Sequence, residues 1–456
     1  MTRQPSADSL LIRDAVIHTP EETVEGDCLI EEGRIAEIGK VTGTADQIVE
    51  ADGRWLWPGA IDAHVHFREP GPTHKEDWTS GSRAAVAGGV TTVFEMPNTK
   101  PTTTTVERLE RKRAIAGQKS VCNFGLFFGA GPDNHDEIHK AQVRGVPGLK
   151  IFMGCSTGDL LVYREEDLDA VFAAWMGKVC VHAESELRLR ERKEMFEGRT
   201  DPAVHSEIRD PESAVEAVSR ACRLALDHGR DLHVLHLSTR DELDVIAEAR
   251  QKVDEHGLAS TITCEVCPHH LFLSTDAYEE WGTRVQMNPP LRDESQREAM
   301  WEALAAGEID MIATDHAPHT PEEKDRDYGE APSGVPGVET MLPMMLDAAH
   351  RGECSYGDVL EWLCHRPASI YGVAGRSRIE VGNHADLVLI DPDMQREVRD
   401  KDQFSRCGWT PWRGRALVGW PVMTLVDGHV AYRRDDDGPG EIVAEPGLGC
   451  EVEFRA

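Results

Sequence analysis

Two histidines one residue apart, with an arginine two residues further on, stand in the stretch DAHVHFREPG, Asp62 to Gly71. Successive side chains on an extended strand alternate faces, so His64, His66 and Arg68 are expected to project together, with Val65 and Phe67 on the other side. Two imidazoles on one face can hold a metal ion, and an arginine beside them can hold a carboxylate. A lone His-x-His is more often a pair of hydrogen-bonded core histidines, so the rest of the chain has to decide. It supplies four more residues of the same character. Lys150 interrupts the apolar run GLKIFMG, His182 closes VCVH, His236 falls in VLHLS, and Asp315 follows IDMIAT.

These residues need elements to bring them together. From AIDAHVHF onward, strand-like runs alternate with helix-like ones: VTTVFEMPN with VERLERKRAIAG, NFGLFFG with DEIHKAQV, GLKIFMG with EEDLDAVFAAWM. KVCVHAE is followed by ESAVEAVSRACRLALDHG, and DLHVLHLS by RDELDVIAEARQKV. STITCEVCPHHLFL and RVQMNPP lead to SQREAMWEALAAG, before IDMIATDHAPH closes the series. Such alternation predicts parallel β/α units, and about eight strands over some 300 residues predict a (β/α)8 TIM-type barrel over 58–375. Barrel active sites form at the C-terminal ends of the strands, which is where these six residues fall. The two chain ends read as short strands, with turns expected at Glu25-Gly26 and Glu32-Gly33. Segments 1–57 and 376–456 are therefore expected to build one small β-sandwich domain between them.

Four imidazoles and one carboxylate suit zinc or a similar divalent ion. A lysine ammonium buried beside cations is repelled. An amine carbamylated by CO2 becomes an anion whose two oxygens can bridge two metals about 3.5–4 Å apart. A hydroxide between such metals would be the nucleophile, and Asp315 could take its proton and return it to a leaving nitrogen.

Composition narrows the partners. The formal net charge is −32, from 81 acidic against 49 basic residues, and only 12 of the basic residues are lysine. Such a field repels nucleic acid and anionic membranes, and it keeps a protein dispersed where high salt screens it, so a salt-loving host is expected. No apolar run is long enough to span a bilayer and the first residues lack a signal-peptide core, so a cytoplasmic location is expected. The 11 cysteines show no disulfide framework. Cys264 and Cys267 form one CxxC, but strand alternation puts them on opposite faces, and they are read as packing residues.

With these residues in place, the chain resembles the amidohydrolase superfamily and, within it, the dihydroorotase family. The resemblance spans nearly the whole chain and rests on DAHVHFREPG, EMPNTKP, GLKIFMG, VHAE, LHLST, EVCPHHL, MNPPLR and ATDHAPHT; PSGVPGVETMLP resembles the archaeal branch. It implies two Zn2+ per subunit. His64, His66 and Asp315 would bind one ion, His182 and His236 the other, and N6-carboxylated Lys150 would bridge both. Arg68, Asn98 and His319 would hold the substrate's carboxylate, and Asn288 the pyrimidine ring. The implied reaction is the reversible cyclisation of N-carbamoyl-L-aspartate to L-dihydroorotate in UMP synthesis. Two positions depart from the pattern: Cys267 stands where Thr is common, and Asp210 where Pro is usual. His269 and His270 are not ligands in that family and are expected to shape the strand end. Hydantoinases, dihydropyrimidinases and allantoinases share the metal set; what separates them is the carboxylate clamp, since their rings lack a carboxylate. A metal-free scaffold would have lost ligands, and none is missing. GCSTGDLLV, with Ser156, Thr157 and Gly158, is the expected lid loop. The partner is a small molecule, and a homo-oligomer is left open.

Overall fold

The computed structural model describes residues 9–154, 158–434 and 438–455. Ser156 and Thr157 of the expected lid, and the three acidic residues Asp435 to Asp437, lie outside the described residues.

Five strands open the chain: β1 (Ser9–His18), β2 (Thr23–Glu31), β3 (Arg34–Gly39), β4 (Gln47–Glu50) and β5 (Trp55–Pro58). Glu32 and Gly33, both at positive φ (50° and 78°), make the tight hairpin between β2 and β3. Gly26 does not turn the chain. It lies inside β2 opposite Ala15, where a Cβ would sit 2.7 Å from the Gly39 carbonyl oxygen, so the glycine serves a close approach of neighbouring backbone.

The middle of the chain carries β6 (Ala60–Val65), β7 (Val90–Glu95), β8 (Asn123–Leu126), β9 (Phe128–Gly129), β10 (Leu149–Phe152), β11 (Val179–His182), β12 (Leu232–Leu237), β13 (Ile262–Val266) and β14 (Met311–Ile312). All pair in parallel, as a three-stranded sheet β6-β7-β8 and a six-stranded sheet from β9 to β14. Helices at Trp78–Ala87, Val106–Lys119, Pro211–His228 and Arg240–His256 lie between strands, as the alternation predicts. Their starts are capped by Asp77, Thr105, Asp210 and Thr239, each accepting a backbone N–H. Asp210 therefore serves as an N-cap, with Pro211 at the first helical position. RVQMNPP is not a strand; it starts in a 3-10 turn, Gly282–Val285, and continues as a connection. The two sheets meet twice. β8 and β9 are one line of chain broken only at Phe127, and past β14 the His316 carbonyl accepts from His66 N at 2.8 Å.

The C-terminal strands β15 (Leu387–Glu397), β16 (Ala416–Val426), β17 (His429–Arg433) and β18 (Glu441–Ile442) return to the first five. The sandwich expected of the two ends is one nine-stranded sheet, in the order β18-β17-β16-β15-β5-β1-β2-β3 with β4 on β1. Pairing of β5 with β15 and with β1 continues the ladder across both chain ends. Leu10, Ile12, Ile30, Leu56, Leu387 and Leu425 share its core. The stretch after β18 leaves this sheet. Phe124 N donates to Cys450 O and Val452 N to Phe124 O, both at 2.9 Å, and the Phe454 ring packs 5.3 Å from Phe94. The last described residues thus pack on β7 and β8 of the β/α unit. No helix among the described residues is long and apolar enough to cross a membrane.

Candidate metal centre

Nine of the ten residues expected at the site line a single pocket of about 130 Å³: His64, His66, Arg68, Asn98, Lys150, His182, His236, Asn288 and Asp315. They come from the C-terminal ends of β6, β7, β10, β11, β12 and β14 and from the connection after β13. The tenth, His319, stands behind Arg68, with its Nε2 3.2 Å from the Arg68 Nη2. Gly334 closes one wall at φ 132°, where a Cβ would lie 2.4 Å from the Ala317 carbonyl oxygen. Only glycine allows that approach.

His64 and His66 converge as strand alternation requires. Their Nε2 atoms lie 3.3 and 2.9 Å from Asp315 Oδ1. Arg68 arrives differently. β6 ends at Val65, and Arg68 has φ 63°, so a left-handed turn and not strand alternation delivers the guanidinium. Of the eight non-glycine residues at positive φ among the described residues, Arg68, His236 (41°) and Asp315 (47°) line this pocket. Such backbone costs about 1–3 kcal/mol per residue and persists where the surroundings over-determine it.

The electrostatics favour a cation. Burial holds His66 at about 4, lowers His182, and pushes His236 well below the usual histidine range. Burial thus favours the uncharged form of these rings, whose nitrogens offer lone pairs. Burial alone would raise the Asp315 carboxyl, but the surrounding His64, His66 and His236 outweigh it and hold it well below the usual carboxylate range. Two ring nitrogens, His182 Nδ1 and His236 Nε2, face each other at 2.9 Å. Lys150 is 0% exposed, its Nζ has no hydrogen-bond partner, and burial brings it down to about 8. A buried amine without a hydrogen bond and facing imidazole nitrogens in one pocket fit a divalent metal with nitrogen and oxygen donors. His64, His66 and Asp315 by themselves offer three donor atoms within 4.8 Å of one another.

Several residues here escaped the sequence reading. Glu265, inside β13, accepts from His64 Nδ1 at 2.7 Å and from His233 Nε2 at 3.1 Å. Burial would raise its carboxyl, yet His64 and His233 hold it at about 2. The ionised carboxylate keeps the His64 proton on Nδ1 and turns Nε2 into the pocket. Glu184 does the same for His182 through Nε2 at 2.9 Å, and is itself paired with Arg209. Asp62 Oδ1 accepts from Thr314 N at 3.0 Å and from His64 N at 3.3 Å, tying β6 to the segment that carries Asp315. Lys75 donates to His319 Nδ1 at 2.9 Å, so His319 Nε2 carries its proton and donates to Ser333 O at 2.9 Å. The signal for the two glutamates was a charged residue in an apolar strand run, TCEVC and VHAE, which went unused.

Two expected contacts are modified. Asn98 turns its Oδ1 to His66 Nδ1 at 2.7 Å, which fixes that imidazole and leaves the Asn98 NH2 as donor. Asn288 Oδ1 accepts from His205 Nε2 at 2.9 Å. Glu265→Gln is expected to weaken metal binding by about 10–100-fold while the fold survives, because the ligand stays and only its orienting charge goes. Metal titration against a competing chelator, with circular dichroism, checks this.

The amidohydrolase family profile matches residues 55–431. The chain belongs to the amidohydrolase family, and it is accordingly a hydrolase. It is 42% identical to a dihydroorotase of Halobacterium salinarum over 90% of this chain and 96% of that protein. It is 34% identical to an allantoinase of Salmonella gallinarum, over 93% and 95%. Among solved structures it resembles the L-hydantoinase (dihydropyrimidinase) from Arthrobacter aurescens, with a TM-score of 0.91, 30% identity, and 98% and 100% of the two chains covered. The Halobacterium relative agrees with the salt-adapted surface that the charge leads one to expect. Members of this family with these sheets are built on a parallel β/α domain and a β-rich domain, which is the arrangement found here.

Proposed function

We propose that this amidohydrolase is a dihydroorotase, interconverting L-dihydroorotate and N-carbamoyl-L-aspartate. The observation that carries the reading is the Arg68 guanidinium, with the Asn98 amide, lining the same pocket as the metal-ligand set in a protein of net charge −32. An anionic substrate needs a local cation in such a field, and an uncharged ring does not.

In this reading β6 to β14 close as the eight strands of a (β/α)8 barrel, with β8 and β9 counting as one. The barrel spans 58–375, and the flanking segments form the β-rich domain, except that the end of the described chain belongs to the barrel floor. Two zinc ions would be held, one by His64, His66 and Asp315, the other by His182 and His236, with carboxylated Lys150 between them. A Lys150 amine near 8 is neutral far more often than an ordinary lysine, which near pH 7.5 is neutral in roughly one copy in a thousand, and only the neutral amine adds CO2. When bound, the ions polarise the ring carbonyl and lower the pKa of water.

The chain's own groups do the rest. Arg68 and Asn98 fix the ring carboxylate, backed by His319, and Asn288 meets the ring. In hydrolysis a C–O bond forms from water to the ring carbonyl carbon and the ring C–N bond breaks. Asp315 takes the water proton and delivers it to the departing ureido nitrogen. Cyclisation runs the same path backward, with Asp315 receiving the nitrogen's proton. The partner is a small molecule, and a cytosolic setting goes with the reaction.

The test is a side-by-side hydrolysis of dihydroorotate, dihydrouracil, hydantoin and allantoin by zinc-loaded protein in high salt. Preference for dihydroorotate is expected. Arg68→Met should lower kcat/KM for it by about 100-fold or more, the worth of a buried charged hydrogen-bond pair, and leave uncharged rings unaffected. Preference for an uncharged ring would move the chain to the allantoinase and hydantoinase side.

A further inference from the structure

Two residues beyond Glu265, the chain leaves β13 and turns into a short helix, Pro268–Phe272. Cys267 occupies the N-cap of that turn, yet its side chain makes no capping hydrogen bond. It does not pair with Cys264, whose Sγ faces the Glu308 carbonyl at 3.6 Å on the other side of the strand. Cys267 stands instead with His269 and His270. The three offer one ligand atom each, all within 4.8 Å of one another, and their exposures are 0%, 3% and 3%.

The His270 ring is wired for a ligand. Its Nε2 lies 3.2 Å from the Pro289 carbonyl oxygen, a contact that only an N–H can make. The proton is therefore on Nε2, and Nδ1 is left with a bare lone pair. That Nδ1 is buried and has no hydrogen-bond partner. One ring nitrogen tied to a backbone carbonyl and the other left bare is how a metal-binding imidazole is oriented. A buried lone pair that finds neither donor nor cation is costly.

We propose that Cys267, His269 and His270 form an additional metal site that takes one Zn2+ or a similarly thiophilic cation. It shares no ligand with the pocket around His64 and Asp315. A thiolate and two imidazoles are a three-donor set for zinc, and water completes the tetrahedron. Binding exchanges the Cys267 thiol proton for the cation, which leaves one S–metal bond and releases one H+. The site pins the turn just past Glu265, the residue that orients His64. Its role is to hold the strand end, outside the chemistry itself.

Cobalt replacement tests this independently of the proposed reaction. The full chain is stripped of metal and reloaded with Co2+. A thiolate bound to Co2+ gives an intense charge-transfer band in the near ultraviolet, whereas a nitrogen and oxygen centre gives only weak visible bands. The wild type is expected to show the ultraviolet band. Cys267→Ser should lose it together with about one Co2+ per chain, keeping the visible bands and the turnover of dihydroorotate. His270→Gln should lose the same ion while retaining the cysteine. A fully loaded wild type without the band, or a band that persists in Cys267→Ser, overturns the site. If the band is present and no cyclic amide is hydrolysed, the proposed reaction fails and the metal site stands.

Discussion

Lys150→Ala is expected to lower dihydroorotate turnover by about a thousandfold or more, about 4 kcal/mol of transition-state stabilisation, without unfolding the protein. The side chain is buried with no hydrogen-bond partner for its Nζ, in a strand whose other residues are apolar. As a free amine it gives the fold its volume and a contact with the Phe152 ring 4.6 Å away, and removing a buried polar group without a hydrogen bond offsets part of the cavity. The melting temperature should therefore shift by only a few degrees. Activity should collapse together with the metal content, because the proposed carbamate is the one anion placed to serve both ions. Partial recovery on adding a short carboxylic acid, which can enter the vacated space as a substitute anion, would show that the missing group is a carboxylate and not an ammonium. Retention of full metal content and activity in Lys150→Ala would remove the carbamate from the mechanism.

Asp315→Asn should be nearly as severe, about 10³–10⁴-fold in kcat, and equal in both directions of the reaction. Asparagine keeps the shape but can neither carry the charge nor accept the proton. The carboxylate oxygen lies 3.3 and 2.9 Å from the Nε2 atoms of His64 and His66, so its loss also removes the anion that those two rings face. Measuring hydrolysis and cyclisation separately distinguishes the two consequences. A lost proton carrier slows both equally at saturating metal, whereas a lost ligand is corrected by raising the zinc concentration. A variant within tenfold of wild type in either direction would take the proton shuttle away from Asp315.

How much of this was legible follows from where the information lies in the chain. His64 and His66 were readable together because a period of two is a local property of any strand. The placement of Lys150, His182, His236 and Asp315 at one mouth followed from the direction all parallel strands share. Arg68 was placed correctly for the wrong reason: the strand stops at Val65, and a backbone turn at φ 63° does what alternation was expected to do. Glu265 was missed because its meaning resides in His64, 201 positions away, and no spacing rule reaches that far. Asn98 is a substrate contact by resemblance alone, and its oxygen is held by His66, which no local spacing announces and which leaves its NH2 as the donor. The β-rich domain was visible as texture at both ends, but strand order was not, since which edge pairs with which depends on β5 meeting β15.

That pairing also bears on how the chain is made. Leu56 of β5 faces Leu389 of β15, more than 300 residues later, while β5 is also the neighbour of β1. During synthesis, the first strands emerge with the edge of β5 unsatisfied, and it stays so until nearly the whole β/α unit has followed. At about 5–20 residues per second, that wait is on the order of tens of seconds. A chain of net charge −32 opposes the pairing of such an open edge with another copy of itself.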